Sequence, residues 1–272
     1  MRSGGRRFPL TLDRVAPKGP AVRADPLLRP QRPVHEAAAD ARRLRQPHGR
    51  GLDSEAVRAR MVQRLREQGV EDERVLGAMG AVPRDAFVDA ALAAQAYEDT
   101  SLPIGWEQTI SKPAVVARML ALLAGAPGAR ARPVRAPLGR ALEIGTGCGY
   151  QAALLCALAA GVTSVERLGP LLDKARANLS AIGLIGIRLV HGDGRRGYPP
   201  NAPYDSIVAA AGGDAIPESW IEQLAVGGRL VAPLHDEALD GQVLVVIDKT
   251  ENGLQRRMHD AVHFVPLKSG HL

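Results

Sequence analysis

The sequence predicts an α/β protein built on a doubly wound, mostly parallel sheet, with helices ahead of it and an antiparallel hairpin at its end. Three observations carry that expectation. From residue 140 onward, short aliphatic or β-branched runs alternate with helical periodicity, the pattern of parallel strands joined by crossover helices. A glycine-rich turn, Gly145-Thr146-Gly147-Cys148-Gly149, falls where the first of those strands passes into a helix. At the end of the chain, apolar segments 242–249 and 261–265 flank a polar turn around Asn252-Gly253, which predicts the antiparallel hairpin.

Taken in order, the first fifty residues stand apart. They hold 12 Lys and Arg against 4 Asp and Glu, and 7 of the 20 prolines, in a chain whose formal net charge is +6. Residues 1–52 are therefore expected to form a basic, disordered extension, with a short helix over 35–45 at most. The rest of the chain is slightly acidic, so its total charge is no argument that the body binds nucleic acid. Residues 53–272 then read as one domain.

Within it, Val57, Met61, Val62 and Leu65 fall at helical spacing and predict a helix over 56–68, capped by Ser54 and ended by Gly69. A second helix follows over 71–79. Val82-Pro83-Arg84 breaks it before a helical run over 85–97. Residues 103–113 read as a loop, closed by Pro113 at the first turn of a helix over 114–123. Residues 125–139, rich in proline and glycine, are a spacer. Strands are expected over 140–144, 162–166, 187–191, 206–210 and 229–233, with helices over 150–159, 170–182 and 216–224. No internal repeat is visible.

No stretch approaches the roughly 18 uninterrupted apolar residues of a spanning helix, and the first fifteen residues lack the apolar core of a secretory signal. The expected compartment is the cytoplasm. Cys148 and Cys156, eight positions apart, make neither a disulfide framework nor a metal cluster. The seven histidines include no H-x-x-x-H pair, so no metal is expected.

The chemistry concentrates at the ends of three successive strands. Gly145, Gly147 and Gly149 are spaced G-x-G-x-G, without the third glycine of a dinucleotide fingerprint, and Glu143 stands just ahead of them. A carboxylate there would repel a pyrophosphate and suit a ligand carrying positive charge. Glu166, ending the second strand, can accept both hydrogen bonds of a ribose diol, whether the ligand is a dinucleotide or S-adenosylmethionine. Gly192-Asp193-Gly194 follows the third strand, where Asp193 can bond an adenine amino group. Taken singly, each also reads as a tight turn or a helix cap.

At this point the chain resembles a known family. RALEIGTGCGY from Arg140 to Tyr150, Glu166-Arg167, Gly192-Asp193-Gly194 and LAVGGRLVAPL over 224–234 look like the Rossmann-like class I S-adenosylmethionine-dependent methyltransferases. More narrowly, VPRDAFV over 82–88, LPIG over 102–105, QTISKP over 108–113 and VHFVPL over 262–267 are similar to the protein-L-isoaspartate O-methyltransferase family. The likeness runs from about residue 57 to residue 270. It implies that S-adenosyl-L-methionine is the cofactor, held by Glu143, Gly145, Gly147, Gly149, Glu166, Gly192, Asp193 and Gly194 of the sheet at 140–272. It implies methyl transfer to the free α-carboxylate of L-isoaspartyl residues in damaged proteins and peptides, initiating repair through a succinimide. Thr109, Ile110 and Ser111, in the 53–124 segment of helices and substrate loop, are then substrate-binding, and Ser111 is the catalytic residue.

Several positions carry two readings. Without the resemblance, Ser111 before a helix-starting proline reads as a turn or cap residue. Trp106-Glu107 stands where the family usually carries glycine and a small or polar neighbour; the tryptophan either narrows the peptide entrance or packs on the surface. Tyr150 reads as core, and Cys148 as a small residue in a tight turn. Ala209-Ala210-Ala211-Gly212-Gly213 replaces the Asn/Asp-Pro-Pro-Tyr run expected of enzymes that methylate base amino groups. Isoaspartyl proteins are thus the expected partners, with no membrane. The alternatives are an RNA or small-molecule acceptor, a nucleic-acid-binding protein driven by the basic extension, and a dehydrogenase.

Overall fold

The computed structural model describes residues 54–272, so the extension at 1–52, its short helix and the Ser54 side chain lie outside the described residues. The described part opens with α1 (Ser54–Glu67) and α2 (Glu73–Ala81). Asp72 caps α2 by accepting from the amides of Arg74 and Val75. The Arg74 side chain also binds it, which holds the Asp72 carboxyl below its usual range. Met61 and Leu65 of α1 and Val75, Leu76 and Met79 of α2 join one buried cluster.

The helix expected over 85–97 is instead two 3-10 turns, Arg84–Phe87 and Ala90–Gln95. Arg84 is wholly buried and donates from Nε to the Ala96 carbonyl at 2.7 Å, so the chain wraps around its guanidinium instead of continuing a helix. The second turn buries none of its side chains, leaving no apolar face to hold a longer helix. The loop expected over 103–113 likewise contains structure, a hairpin of β1 (Leu102–Gly105) and β2 (Gln108–Ile110). Its turn places Trp106 at φ 49° and Glu107 at φ 58°, the left-handed pair that matches hairpin twist but is unusual without glycine. Helix α3 (Pro113–Ala124) then starts at its proline.

The main sheet contains β3 (Arg140–Ile144), β4 (Gly161–Glu166), β5 (Ile187–His191), β6 (Tyr204–Ala209), β7 (Leu224–Asp236), β8 (Gly241–Thr250) and β9 (Gly253–Val262). Their spatial order is β5-β4-β3-β6-β7-β8-β9. The first five in that order are parallel, and β8 and β9 are antiparallel to their neighbours. Helices α4 (Tyr150–Leu158), α5 (Gly169–Ala181) and α6 (Glu218–Gln223) connect them. Alternate strand residues separate into two clusters: Ala141, Val208 and Val231 fall in one, and Leu142, Ile207 and Leu230 in the other. Period-two side chains thus cover both faces, as the doubly wound class requires.

The terminal hairpin is present, but its second strand is β9, not 261–265. Its residues, GLQRRMHDAV, show no apolar alternation because β9 is the last strand of the sheet and exposed along nearly all its length. Backbone pairing to β8 holds it, and that pairing leaves no periodic trace. Inboard, Arg229 of β7 makes a buried two-pronged ion pair with Asp248 of β8, at 2.6 and 2.8 Å, and donates to the Leu122 carbonyl in α3. Among the described residues no helix is long and apolar enough to cross a membrane.

Candidate active site

The strand order reverses between β3 and β6, and ligands of open α/β sheets bind outside the carboxyl ends of the strands at such a switch. The glycine turn leaves β3 there. It is stitched to both neighbours by Gly145 N–H to the Val165 carbonyl and Ala210 N–H to the Ile144 carbonyl, each at 2.8 Å. Gly149 closes the turn at φ 92°, and a Cβ there would meet Leu179 at 3.2 Å, so both conformation and space call for glycine.

Glu166 ends β4 with only 5% of its surface exposed. Its Oε2 accepts from Gly147 N–H and its Oε1 from Leu168 N–H, both at 3.0 Å. Each oxygen keeps further acceptor capacity toward the cleft that Glu166 lines. The carboxylate is therefore rigid before any ligand arrives.

Glu143 behaves differently from what the charge argument expected. It is completely buried, and the cleft wall is formed by its neighbour Ile144 instead. Successive strand residues point to opposite faces, which turns Glu143 into the protein. Its Oε2 accepts from Ser164 Oγ at 2.5 Å, and Ser164 Oγ lies 2.6 Å from Thr146 Oγ1. Burial pushes its carboxyl up to about 8, against the pull of the Ser164 hydroxyl and the Gln151 amide. At neutral pH it is mostly uncharged, and it reaches the cleft through its neighbours Ser164, Thr146 and Gln151. Its Oε1 and the Nε2 of Gln151 close no full hydrogen bond, although the amide is near enough to pull on the carboxyl, and Gln151 lines the cleft.

The facing wall comes from the hairpin: Ile104, Gln108, Thr109, Ile110 and Ser111 line the same cleft, which encloses about 870 Å³ with its mouth. Ser111 is not a cap. Lys112 occupies the N-cap of α3 without a side-chain bond, and Asp99 Oδ1 instead accepts from the Ala114 amide at 2.9 Å. The Ser111 hydroxyl makes no hydrogen bond among the described residues. Ser111 also lines a second groove, shared with Lys112, Val115, His263 and Phe264, so it stands where two cavities meet.

The fourth side of the cleft is residues 265–268. Gly212 fixes them, donating to the Val265 carbonyl at 2.9 Å and accepting from Leu267 N–H at 2.7 Å. The Gln242 amide also pairs with both the N–H and the carbonyl of Phe264.

Of the residues expected at the site, Gly145, Gly147, Glu166, Gly194, Thr109, Ile110 and Ser111 line the cleft; Glu143, Gly149, Gly192 and Asp193 do not. Gly149 lies under the turn as the N-cap of α4. Gly192 and Asp193 line an adjoining groove that shares Val165 with the cleft. There Asp193 caps a short turn through Arg195 N–H and accepts from Gly270 N–H. Tyr150 is both core and wall: it lines the cleft while Phe87 packs edge-on at 5.5 Å and Arg84 lies 4.9 Å from its ring centre. Trp106, half exposed at the hairpin tip, lines neither the cleft nor the second groove. Cys148 is buried with its thiol pushed up to about 11, so it holds no nucleophilic thiolate at neutral pH. Sequence reasoning missed Gln151 and residues 265–268. A polar side chain in the first turn of an otherwise apolar helix was the available signal for the former. The latter are brought in by pairing from the far end of the chain.

A family model described as Protein-L-isoaspartate(D-aspartate) O-methyltransferase (PCMT) matches residues 56–272. A Protein-L-isoaspartate O-methyltransferase of Methylibium petroleiphilum is 61% identical over 265 residues, covering 97% of this chain and 96% of that protein. One of Leptothrix cholodnii is 56% identical over 272 residues, covering 97% and 94%. A solved protein-L-isoaspartate O-methyltransferase superposes with a TM-score of 0.67 at 28% identity, over 78% of this chain and 66% of its own. A Plasmodium falciparum structure in complex with S-adenosyl-L-homocysteine shares the fold, with a TM-score of 0.65 at 24% identity over 78% of this chain and 98% of its own.

Proposed function

The chain belongs to the protein-L-isoaspartate(D-aspartate) O-methyltransferase family, and from that premise we infer how its own residues carry out the reaction. It is an S-adenosylmethionine-dependent methyltransferase acting on isoaspartyl residues of damaged proteins. The cleft fits that cofactor on two counts. Glu166 offers two anchored carboxylate oxygens to a ribose diol, and Gly145 and Gly147 line the cleft beside it with no side chain to fill the space. We assign Glu166 to the ribose, the glycine turn and Gly194 to close approach of the donor, and Gly192 and Asp193 to its adenine end.

S-adenosylmethionine supplies an electrophilic methyl group on a sulfonium. The acceptor carboxylate is ionised at neutral pH, since α-carboxyls titrate near ~3.5, so the chain need supply no general base. Ser111 orients it. Its free hydroxyl donates to one carboxylate oxygen, leaving the other to take the methyl group, while the backbone of Thr109 and Ile110 lines the path. Apolar side chains of Ile104, Ile144, Leu168 and Leu171 exclude water, which strengthens the attraction between an anionic acceptor and a cationic donor. The peptide enters along the second groove, past Lys112 and His263. Outside the site the adjacent peptide nitrogen then attacks the ester carbonyl, expelling methanol and closing a succinimide, a step that requires no residue of the chain. We assign residues 53–124 to the acceptor side, 140–272 to the donor side, and the protein to the cytoplasm, consistent with its two free thiols.

The observation that carries this reading is Ser111, uncommitted at the junction of two cavities while Asp99 caps α3. The test is transfer of labelled methyl to one peptide made with isoaspartate or with aspartate at the same position. Base-labile label should appear on the isoaspartyl form alone. Ser111→Ala should lower kcat about tenfold to a hundredfold, the worth of a lost bond to a charged group, with donor affinity unchanged. Loss of donor affinity instead would make Ser111 part of that scaffold.

A further inference from the structure

Helix α5 holds both walls of the cleft through two side chains one turn apart. Lys174 Nζ donates to the Ile104 carbonyl of the hairpin at 2.9 Å and to Asp89 Oδ1 at 2.9 Å. Asn178 Nδ2 donates to the Cys148 carbonyl of the glycine turn at 3.0 Å. Ala175 and Leu179, from the same helix, lie within 3.4 Å of the place a Cβ on Gly149 would take. The hairpin needs such a hold. Its strands have four and three residues and form a two-stranded sheet separate from the main one, a unit with little stability of its own. Ile104 also closes against the opposite wall, its Cδ1 standing 3.4 Å from where a Cβ on Gly147 would be.

We propose that Lys174 is a positioning residue, a latch that holds the Ser111-bearing hairpin shut over the donor cleft through the Ile104 carbonyl. Donor residence and Ser111 placement are then coupled, because parting Ile104 from Gly147 breaks the same bond that sets the hairpin. An ammonium suits a bond that must open and reclose. It is strongly hydrated and carries a third donor free for water, and the Lys174 side chain keeps 23% of its surface exposed. Asp89 aims the ammonium; Asn178 holds the glycine turn independently.

This inference rests on the cleft being the donor site, and the experiment separates the two. Hydrogen exchange of the hairpin amides over 102–110 is followed in the ligand-free full chain, wild type against Lys174→Met. Dissociation of S-adenosylhomocysteine is timed in both. Loss of a hydrogen bond from a charged donor should speed hairpin exchange and product dissociation about tenfold or more. The donor KM should rise in parallel and the peptide KM less; Lys174→Arg should restore most of each. Asp89→Asn, which keeps the Ile104 bond, should have the smaller effect. Hairpin exchange at the wild-type rate in Lys174→Met overturns the latch. So does a uniform rise across β3 to β7, or failure of the arginine variant to restore closure. A wild-type protein that does not bind S-adenosylhomocysteine would refute the donor cleft alone, since the ligand-free exchange judges the latch separately.

Discussion

The two walls of the cleft are built by different means. The glycine wall belongs to a seven-stranded sheet and is held mainly by backbone bonds to β4 and β6. The hairpin wall lies outside that sheet, and single side chains reaching to main-chain groups hold it and its flanks: Lys174 to Ile104 in the hairpin, Arg84 to Ala96 ahead of it and Asp99 to Ala114 behind it. A cooperative ladder resists local change, whereas a wall pinned at three points opens or shifts when one pin is lost. On the assignment proposed above, the rigid wall takes a donor that is the same in every cycle, and the pinned wall faces acceptors that arrive in proteins of many sequences.

The sharpest break in that contrast is Glu166→Ala. It removes the proposed ribose acceptor and also frees the Gly147 and Leu168 amides, so it damages the rigid wall from within. Donor affinity, read by calorimetry, should fall on the order of a hundredfold, about 2.7 kcal/mol. Unchanged affinity would remove the ribose assignment.

Next in size is the pH response of the same wall. The Glu143 carboxyl titrates near 8 when folded, against 4.5 as its ordinary value. The folded protein keeps a proton that the unfolded chain has released. This contribution to stability is complete below the ordinary carboxylate range and is lost as pH rises toward 8, by at most about 1.4 kcal/mol per pH unit. Glu143→Gln, which cannot ionise, should flatten denaturation midpoints across that window. A variant as pH-dependent as the wild type would mean the carboxyl is not held neutral.

The smallest effect belongs to the pinned wall. Asp99→Ala removes the bond to Ala114 and should cost about 1 kcal/mol, as lost helix caps do. The informative readout is kinetic. The peptide KM should rise while donor affinity stays put, because α3 begins beside Ser111. A matching loss in donor affinity would show that the Asp99 bond also sets the donor side, as the Lys174 bond is proposed to do.

The same contrast decides what the sequence made legible. Strands β3 and β5 match their expected ranges, and α5 is off by one residue at each end, because apolar strand runs and helical spacing leave marks in the sequence. The 3-10 turns around Arg84 and the β1–β2 hairpin leave none; a side chain aimed at a carbonyl has no period. The hairpin was further concealed by Trp106 and Glu107, two non-glycine residues at positive φ where turn rules look for glycine or asparagine. At the site, the charged residue beside the glycines drew the eye to Glu143, while strand alternation gives the cleft to Ile144. Gln151 and residues 265–268 were silent because their relevance comes from tertiary contact, not from local pattern.

Strand β9 closes the sheet with an edge that no other described strand covers. An enzyme that repairs damaged proteins works among chains that are partly unfolded and present extended segments of their own. A bare, apolar sheet edge in that company would template co-aggregation. Arg256, Arg257, His259 and Asp260 crowd β9 with charged and polar groups, a common protection against unwanted strand pairing. The charged and polar residues that made β9 hard to recognise as a strand are therefore also the ones that disfavour its pairing with an extended client segment.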